Sequence, residues 1–155
     1  MDNDGSYGGQ GSRVFQQAKG ENGETFPDFE GLPEVWDNAG EYPVLFPNVL
    51  FAYQRDHGFT MLLLPQGPEK TIERTELFYS FPDGARPDLD ALKATNATQW
   101  KGVLEEDLFV VEGMQKGRHG VHFDGGKFSP VMDTPTYEFH RWVAEQLFKG
   151  RAGVA

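Results

Sequence analysis

VLFPNVLFAYQRDHGFTMLLLPQGPEKTIERTELFYSF, Val44 to Phe81, decides the fold. Val44 to Asp56 is apolar and aromatic and reads as a strand. Pro47 near its start marks a bulge, an edge or a break, because proline cannot donate to a ladder. His57-Gly58 reads as a turn, which makes His57 a surface residue. Phe59 to Gly67 is the returning strand, and Gly67-Pro68 is a second turn. Lys70 to Phe81 is a third strand, polar on both faces in its first half and aromatic in its second. The β-branched Thr71, Ile72 and Thr75 favour extended backbone there. The charges of Glu69 to Glu76 then form a solvated strand face with cross-strand pairs. Two short turns joining three strands predict an antiparallel meander.

Upstream, residues 1–40 form a Gly- and Pro-rich lead-in, with the first dozen loose and Arg13 to Ala18 a short strand. Phe29 and Trp36 are aromatic anchors that pin this segment to a core. Downstream, Pro82 to Asp88 ends the sheet. About Pro87 to Gly117 is helical, in one or two pieces, with Asn96-Ala97-Thr98 as the candidate break. Gly117 stops that helix. His119 to Ser129 is a loop or short strand with a Gly125-Gly126 turn. Thr134 caps a last helix with Pro135 in its first position. That helix, Thr136 to Lys149, should bury Phe139, Trp142, Val143 and Leu147 and end at Gly150. The fold class expected is α+β: an antiparallel sheet with long helices packed on it.

The chain has 155 residues and a hydrophobic fraction of 38%, enough for one globular domain with a sizeable core. Its net charge of -10 argues against nucleic acid and anionic membrane surfaces as partners. The longest aliphatic run, Met61 to Leu64, is far short of the roughly 20 residues a membrane helix needs. The acidic, Gly-rich start has no basic region leading into an apolar one, so no secretory signal is expected and a cytoplasmic protein is. Cysteine is absent. That removes disulfides, a thiol nucleophile and any [2Fe–2S] cluster held by this chain.

The stretch VLEEDLFVVEGMQKG, Val103 to Gly117, carries the chemistry. If its helix begins by Trp100, then Trp100, Val103, Leu104, Leu108, Val111 and Met114 make one stripe at spacings of three and four. Asp107 lies within the stripe, while Glu105, Glu106 and Glu112 can point away. A carboxylate is rarely buried unless it is paired or bound to a metal. Three readings stay open: a solvated position at the stripe's edge, reached through a bend near Gly102 for instance; pairing with a buried Arg or backbone donors; or binding a cation.

EEDLFVVEGMQKG resembles a motif in the catalytic domain of the large (alpha) subunits of Rieske non-haem iron oxygenases, the aromatic-ring-hydroxylating dioxygenase family. Glu106-Asp107, Val111, Glu112, Gln115 and Gly117 stand at the motif's spacings. Phe46 to Asn48 and Pro65 to Pro68 look like the family's meander, and Phe139 to Trp142 like its terminal helix. The resemblance runs from about Tyr42 to Leu147, so residues 41–150 look like the C-terminal portion of that domain, helix-grip-like and incomplete. It implies that Asp107 is the carboxylate of a two-His-one-carboxylate Fe(II) site, whose open positions serve O₂. Trp100, Val103 and Leu104, one or two turns earlier, would line the pocket for an apolar or aromatic substrate. Electrons would come from NAD(P)H through a reductase and ferredoxin, and by analogy the chain could form a homo-oligomer.

The family's two histidine ligands lie on a D-x₂-H-x₄-H segment before the meander, and this sequence has none. Its histidines are His57, His119, His122 and His140. His119 and His122 fall in a Gly-rich loop, where solvated side chains are expected, and His140 at the rim of the last helix. Without cysteine the Rieske half is also missing, so a partner chain or an N-terminal Rieske half would have to supply it. Activity of this chain alone is not expected. The alternative is a non-catalytic helix-grip module that binds an apolar ligand, or a truncated remnant; iron distinguishes the readings, since one carboxylate does not hold Fe(II).

Overall fold

The computed structural model describes residues 5–152. Five strands form one antiparallel sheet in sequence order: β1 (Tyr7–Ser12), β2 (Gly40–Leu45), β3 (Val49–Tyr53), β4 (His57–Pro65) and β5 (Thr71–Tyr79). The meander is as expected for β4 and β5, but Val44 to Asp56 is not one strand. Phe46-Pro47, a cis peptide, lies in a turn that separates β2 from β3. Proline has no N–H for the ladder, so the break reading holds.

The lead-in differs more from expectation. Tyr7 to Ser12, expected loose, is paired to β2 along its length, and Arg13 to Ala18, expected to be a strand, is irregular. Phe26, not Phe29 or Trp36, is the fully buried anchor. It packs with Leu89 and Leu92 and with the rings of Tyr79 and Phe81. Arg55, in the β3–β4 turn, ties the lead-in down by pairing with Asp28 and Asp37.

Three helices follow: α1 (Asp90–Glu106), α2 (Leu108–Arg118) and α3 (Thr134–Ala152). A 3-10 turn with Pro87 at its head leads into α1. Asn96 is not a break but a buried mid-helix residue. The break falls at Asp107, which keeps right-handed helical φ and ψ of -79° and -18°. Its carbonyl still accepts from Val111 N–H, so α1 and α2 meet at a bend and the chain does not leave the helical region.

Alternation along β3, β4 and β5 puts Ala52, Phe59, Met61 and Leu77 on one face of the sheet. Trp100 and Leu104 of α1 pack on that face. α3 sits at the other edge against β1, with Phe139 and Trp142 on Phe46. Phe139, Trp142 and Val143 are half-buried as the periodicity suggests, but Leu147 is exposed.

Candidate functional site

An apolar cleft of about 470 Å³ opens between the sheet and the helices. Phe59, Met61, Leu63 and Leu50 form its floor, Leu104 of α1 one wall, and Phe46 and Phe139 another. β4 contributes its alternate residues Phe59, Met61 and Leu63 to the floor, and β3 adds Leu50 beside Met61. Of the three expected pocket residues, Leu104 faces the cleft. Trp100 stands behind it, with its ring edge-on to Phe59 at 4.8 Å between centroids. Val103 is 45% exposed and does not line the cleft. On the helix the three fall within an arc of about 100°, with Leu104 on one side of Trp100 and Val103 on the other, so a cleft on the Leu104 side leaves Val103 outside it.

Asp107 is exposed at the bend between α1 and α2, the first of its three readings, and its side chain caps neither helix. The stripe that seemed to bury it does not continue: Leu108, Val111 and Met114 are all about half exposed or more. They border a second, more polar groove of about 670 Å³ between α2 and the β4–β5 turn, where Gln115 donates to Glu69 at 3.2 Å. His119 pairs with Glu69 at 3.2 Å and is exposed. His140 packs on the Phe128 ring.

The largest departure from expectation is His57. It is not a surface turn residue: its relative exposure is 2%, beside Asp56 at 0%, Gln54 at 2% and Asn96 at 3%. The turn is Gln54 to Asp56, closed by Gln54 N–H donating to His57 C=O, so His57 is the first residue of β4. Gly58 lets this happen. A Cβ there would lie 2.5 Å from the Ala52 carbonyl oxygen and from the Phe78 ring. Only glycine allows β3 and the Phe78 ring to approach so closely.

His57 sits at the centre of a hydrogen-bonded chain. Its Nδ1 is 2.6 Å from Asp56 Oδ1. Trp100 Nε1–H points at its Nε2 from 2.8 Å, and Asn96 Nδ2 is 3.3 Å from the same atom. Tyr79 O–H donates to Asn96 Oδ1 at 3.2 Å, which turns the amide so that its NH₂ faces His57. An indole nitrogen can only donate. His57 Nε2 therefore accepts, the ring is neutral, and its proton is on Nδ1, given to Asp56. Burial pushes the Tyr79 hydroxyl pKa up, and the negative charge of Asp56 adds to that shift. Asp56 Oδ2 and the Gln54 amide are buried without a protein partner among the described residues. The sequence hint was Asp56-His57-Gly58 with Trp100, but nothing in one strand's pattern shows that a helix 43 positions away supplies the partner.

The chain matches the family described as "Ring hydroxylating alpha subunit (catalytic domain)" over residues 3–149. It therefore belongs to the catalytic-domain family of ring-hydroxylating oxygenase alpha subunits, an oxidoreductase family. No curated protein and no solved structure matches it significantly. Membership implies non-haem iron chemistry. The fit of this chain to such an ion is partial: among the described residues no three His, Asp or Glu side chains converge on a point that could hold a metal. Asp107 belongs to no such group, so it does not form an iron site with the described residues alone. No described helix is long and apolar enough to cross a membrane.

Proposed function

We propose that this chain supplies the sheet, the apolar cleft and the carboxylate of a mononuclear-iron oxygenase domain that hydroxylates an apolar or aromatic substrate with O₂. Two histidines from outside the described residues would complete the iron site with Asp107. One observation carries the reading. In a chain of this family, a cleft lined by Phe46, Leu50, Phe59, Met61 and Leu104 lies on α1, the helix that ends at Asp107. An exposed carboxylate at a helix bend is accessible to a ligand-bearing segment, and its anionic oxygen suits Fe(II). Leu104 and Phe59, the latter backed by Trp100, would hold the substrate ring by apolar contact. Reductase and ferredoxin partners, a Rieske half and a homo-oligomer belong to the same reading.

A second reading is favoured by the cleft's independence of Asp107: the chain binds an apolar molecule and catalyses nothing. The experiment that separates the two is iron content after anaerobic Fe(II) loading, for the chain alone and with a polypeptide carrying the D-x₂-H-x₄-H segment. The oxygenase reading expects about one iron per pair only with that polypeptide present. It also expects Asp107→Ala to lose that iron. Iron retained equally by the Asp107→Ala variant removes Asp107 as the ligand. Binding of N-phenyl-1-naphthylamine without iron in any mixture favours the binding module.

A further inference from the structure

The Asp56–His57–Trp100 chain lies outside the cleft and outside the proposed iron site, yet it joins β4 to α1 at the residue that backs the cleft wall. We propose that His57 is a positioning residue. Held as its Nδ1–H tautomer by Asp56, it fixes the Trp100 indole through Nε2 and so seats α1 against Phe59, and a proton arriving at Nε2 releases that hold.

The chemistry follows from the donor inventory. Neutral His57 offers Nε2 as an acceptor to both Trp100 Nε1–H and Asn96 Nδ2–H. The protonated ring carries N–H groups at both positions. Nε2–H would then face two donors, neither able to accept, while Nδ1–H still donates to Asp56. Tyr79 holds the Asn96 amide in its orientation, so a simple flip of that amide would cost the Tyr79 bond. The ring that must move is Trp100, half-buried and packed on Phe59.

The groups facing His57 are few. Asp56 lies on its own turn and Tyr79 comes from β5, with their ring centroids 6.3 Å apart in the second case. Asn96 and Trp100 come from α1, and Phe15 and Phe26 of the lead-in are apolar. Two cations stand farther out: Arg55, engaged with Asp28 and Asp37, and Lys93, above the Tyr79 ring at 5.9 Å. Of the titratable groups in contact, only Asp56 is an anion, and it favours Nδ1–H in both states of the ring.

Cleft occupancy gives His57 its functional consequence and rests on the reading above. The ring nitrogens report without substrate or iron, so either idea can fail alone. The experiment is nitrogen-15 NMR of the full chain with labelled His and Trp, titrated with acid, beside His57→Gln. The Trp100 indole is identified by its loss in Trp100→Phe. The expected result is a His57 ring protonated at Nδ1 only, with a Trp100 indole protected from exchange. Protonation of Nε2 should then lower that protection by about tenfold, the scale of one hydrogen bond. The Trp36 and Trp142 indoles should stay unchanged. His57→Gln keeps an acceptor at the Nε2 position but cannot take the proton, so its Trp100 signal should be protected and flat with pH. Binding of N-phenyl-1-naphthylamine should follow the same titration in the wild type and not in His57→Gln. A ring found protonated at Nε2 at neutral pH overturns the assignment. So does a Trp100 indole indifferent to the titration, or one lost only together with Trp36 and Trp142, which would be unfolding. Should His57→Gln not fold, the wild-type titration decides alone.

Discussion

α1 and α2 are consecutive helical segments with equally apolar residues, yet they live in different surroundings. Leu92 of α1 is 1% exposed, and Asn96, Trp100 and Leu104 continue its buried side. Leu108 and Val111 of α2 are 47% and 60% exposed. The periodic stripe runs through both. The difference is what faces it: α1 lies over β4 and β5, and the bend at Asp107 carries α2 past the sheet to the β4–β5 turn. An apolar stripe states which side of a helix can be buried. It does not state that anything in the same chain buries it.

The contrast breaks first on core truncation. Leu92→Ala should lower the unfolding free energy by about 2–5 kcal/mol, whereas Val111→Ala should stay within about 0.5 kcal/mol. Urea unfolding followed by tryptophan fluorescence measures both. Equal losses would mean that α2 is packed in solution and the two helices are alike. Hydrogen exchange sharpens the same point: α1 amides should open with the global unfolding and α2 amides well before it.

The next effect separates the two kinds of histidine. His57→Leu leaves Trp100 N–H without its buried acceptor and removes the donor to Asp56, and should cost about 1–3 kcal/mol. His119→Leu removes only an exposed pair with Glu69 and should cost no more than about 0.5 kcal/mol. If thermal unfolding finds the two equal, the buried chain around His57 does not form.

A smaller effect concerns Tyr79. Tyr79→Phe removes one hydrogen bond to Asn96 and should cost about 1 kcal/mol near neutral pH. Its pH dependence has a definite sign. The folded hydroxyl has its pKa raised above the ordinary 10.0, first by burial and then by Asp56. Its contribution is therefore fully present below the unfolded value and is lost as pH rises through the folded one. Wild-type stability should fall as pH rises from the unfolded value to the folded one, and Tyr79→Phe should lack this part of the fall. A variant with the same alkaline slope as wild type would show that Tyr79 is not the group responsible.

Much of the sheet was legible. β4 and β5 were visible in Phe59 to Gly67 and Lys70 to Phe81, because alternation and turn residues are local properties. The Thr134–Pro135 start of α3 was legible for the same reason. The family was legible in Glu106-Asp107 through Gly117, since spacing along a helix survives whatever packs against it. β1 was not. A run of Tyr7, two glycines, Gln10 and Gly11 has no apolar alternation, and only pairing with β2 makes it a strand. His57 was misplaced because Asp56-His57-Gly58 has turn composition. The turn falls three residues earlier, where Gln54 N–H closes onto His57 C=O.

The sequence by itself determined the α+β class, the meander, the family and the absence of any cysteine-held cluster, because these rest on composition, period and spacing. Only the tertiary structure decided which groups meet. It put Asp107 at an exposed bend, left Val103 outside the cleft, and buried His57 between Asp56 and Trp100. Burial is a relation between segments far apart in the chain, and a hydrogen-bond partner 43 residues away leaves no mark on the residues next to His57.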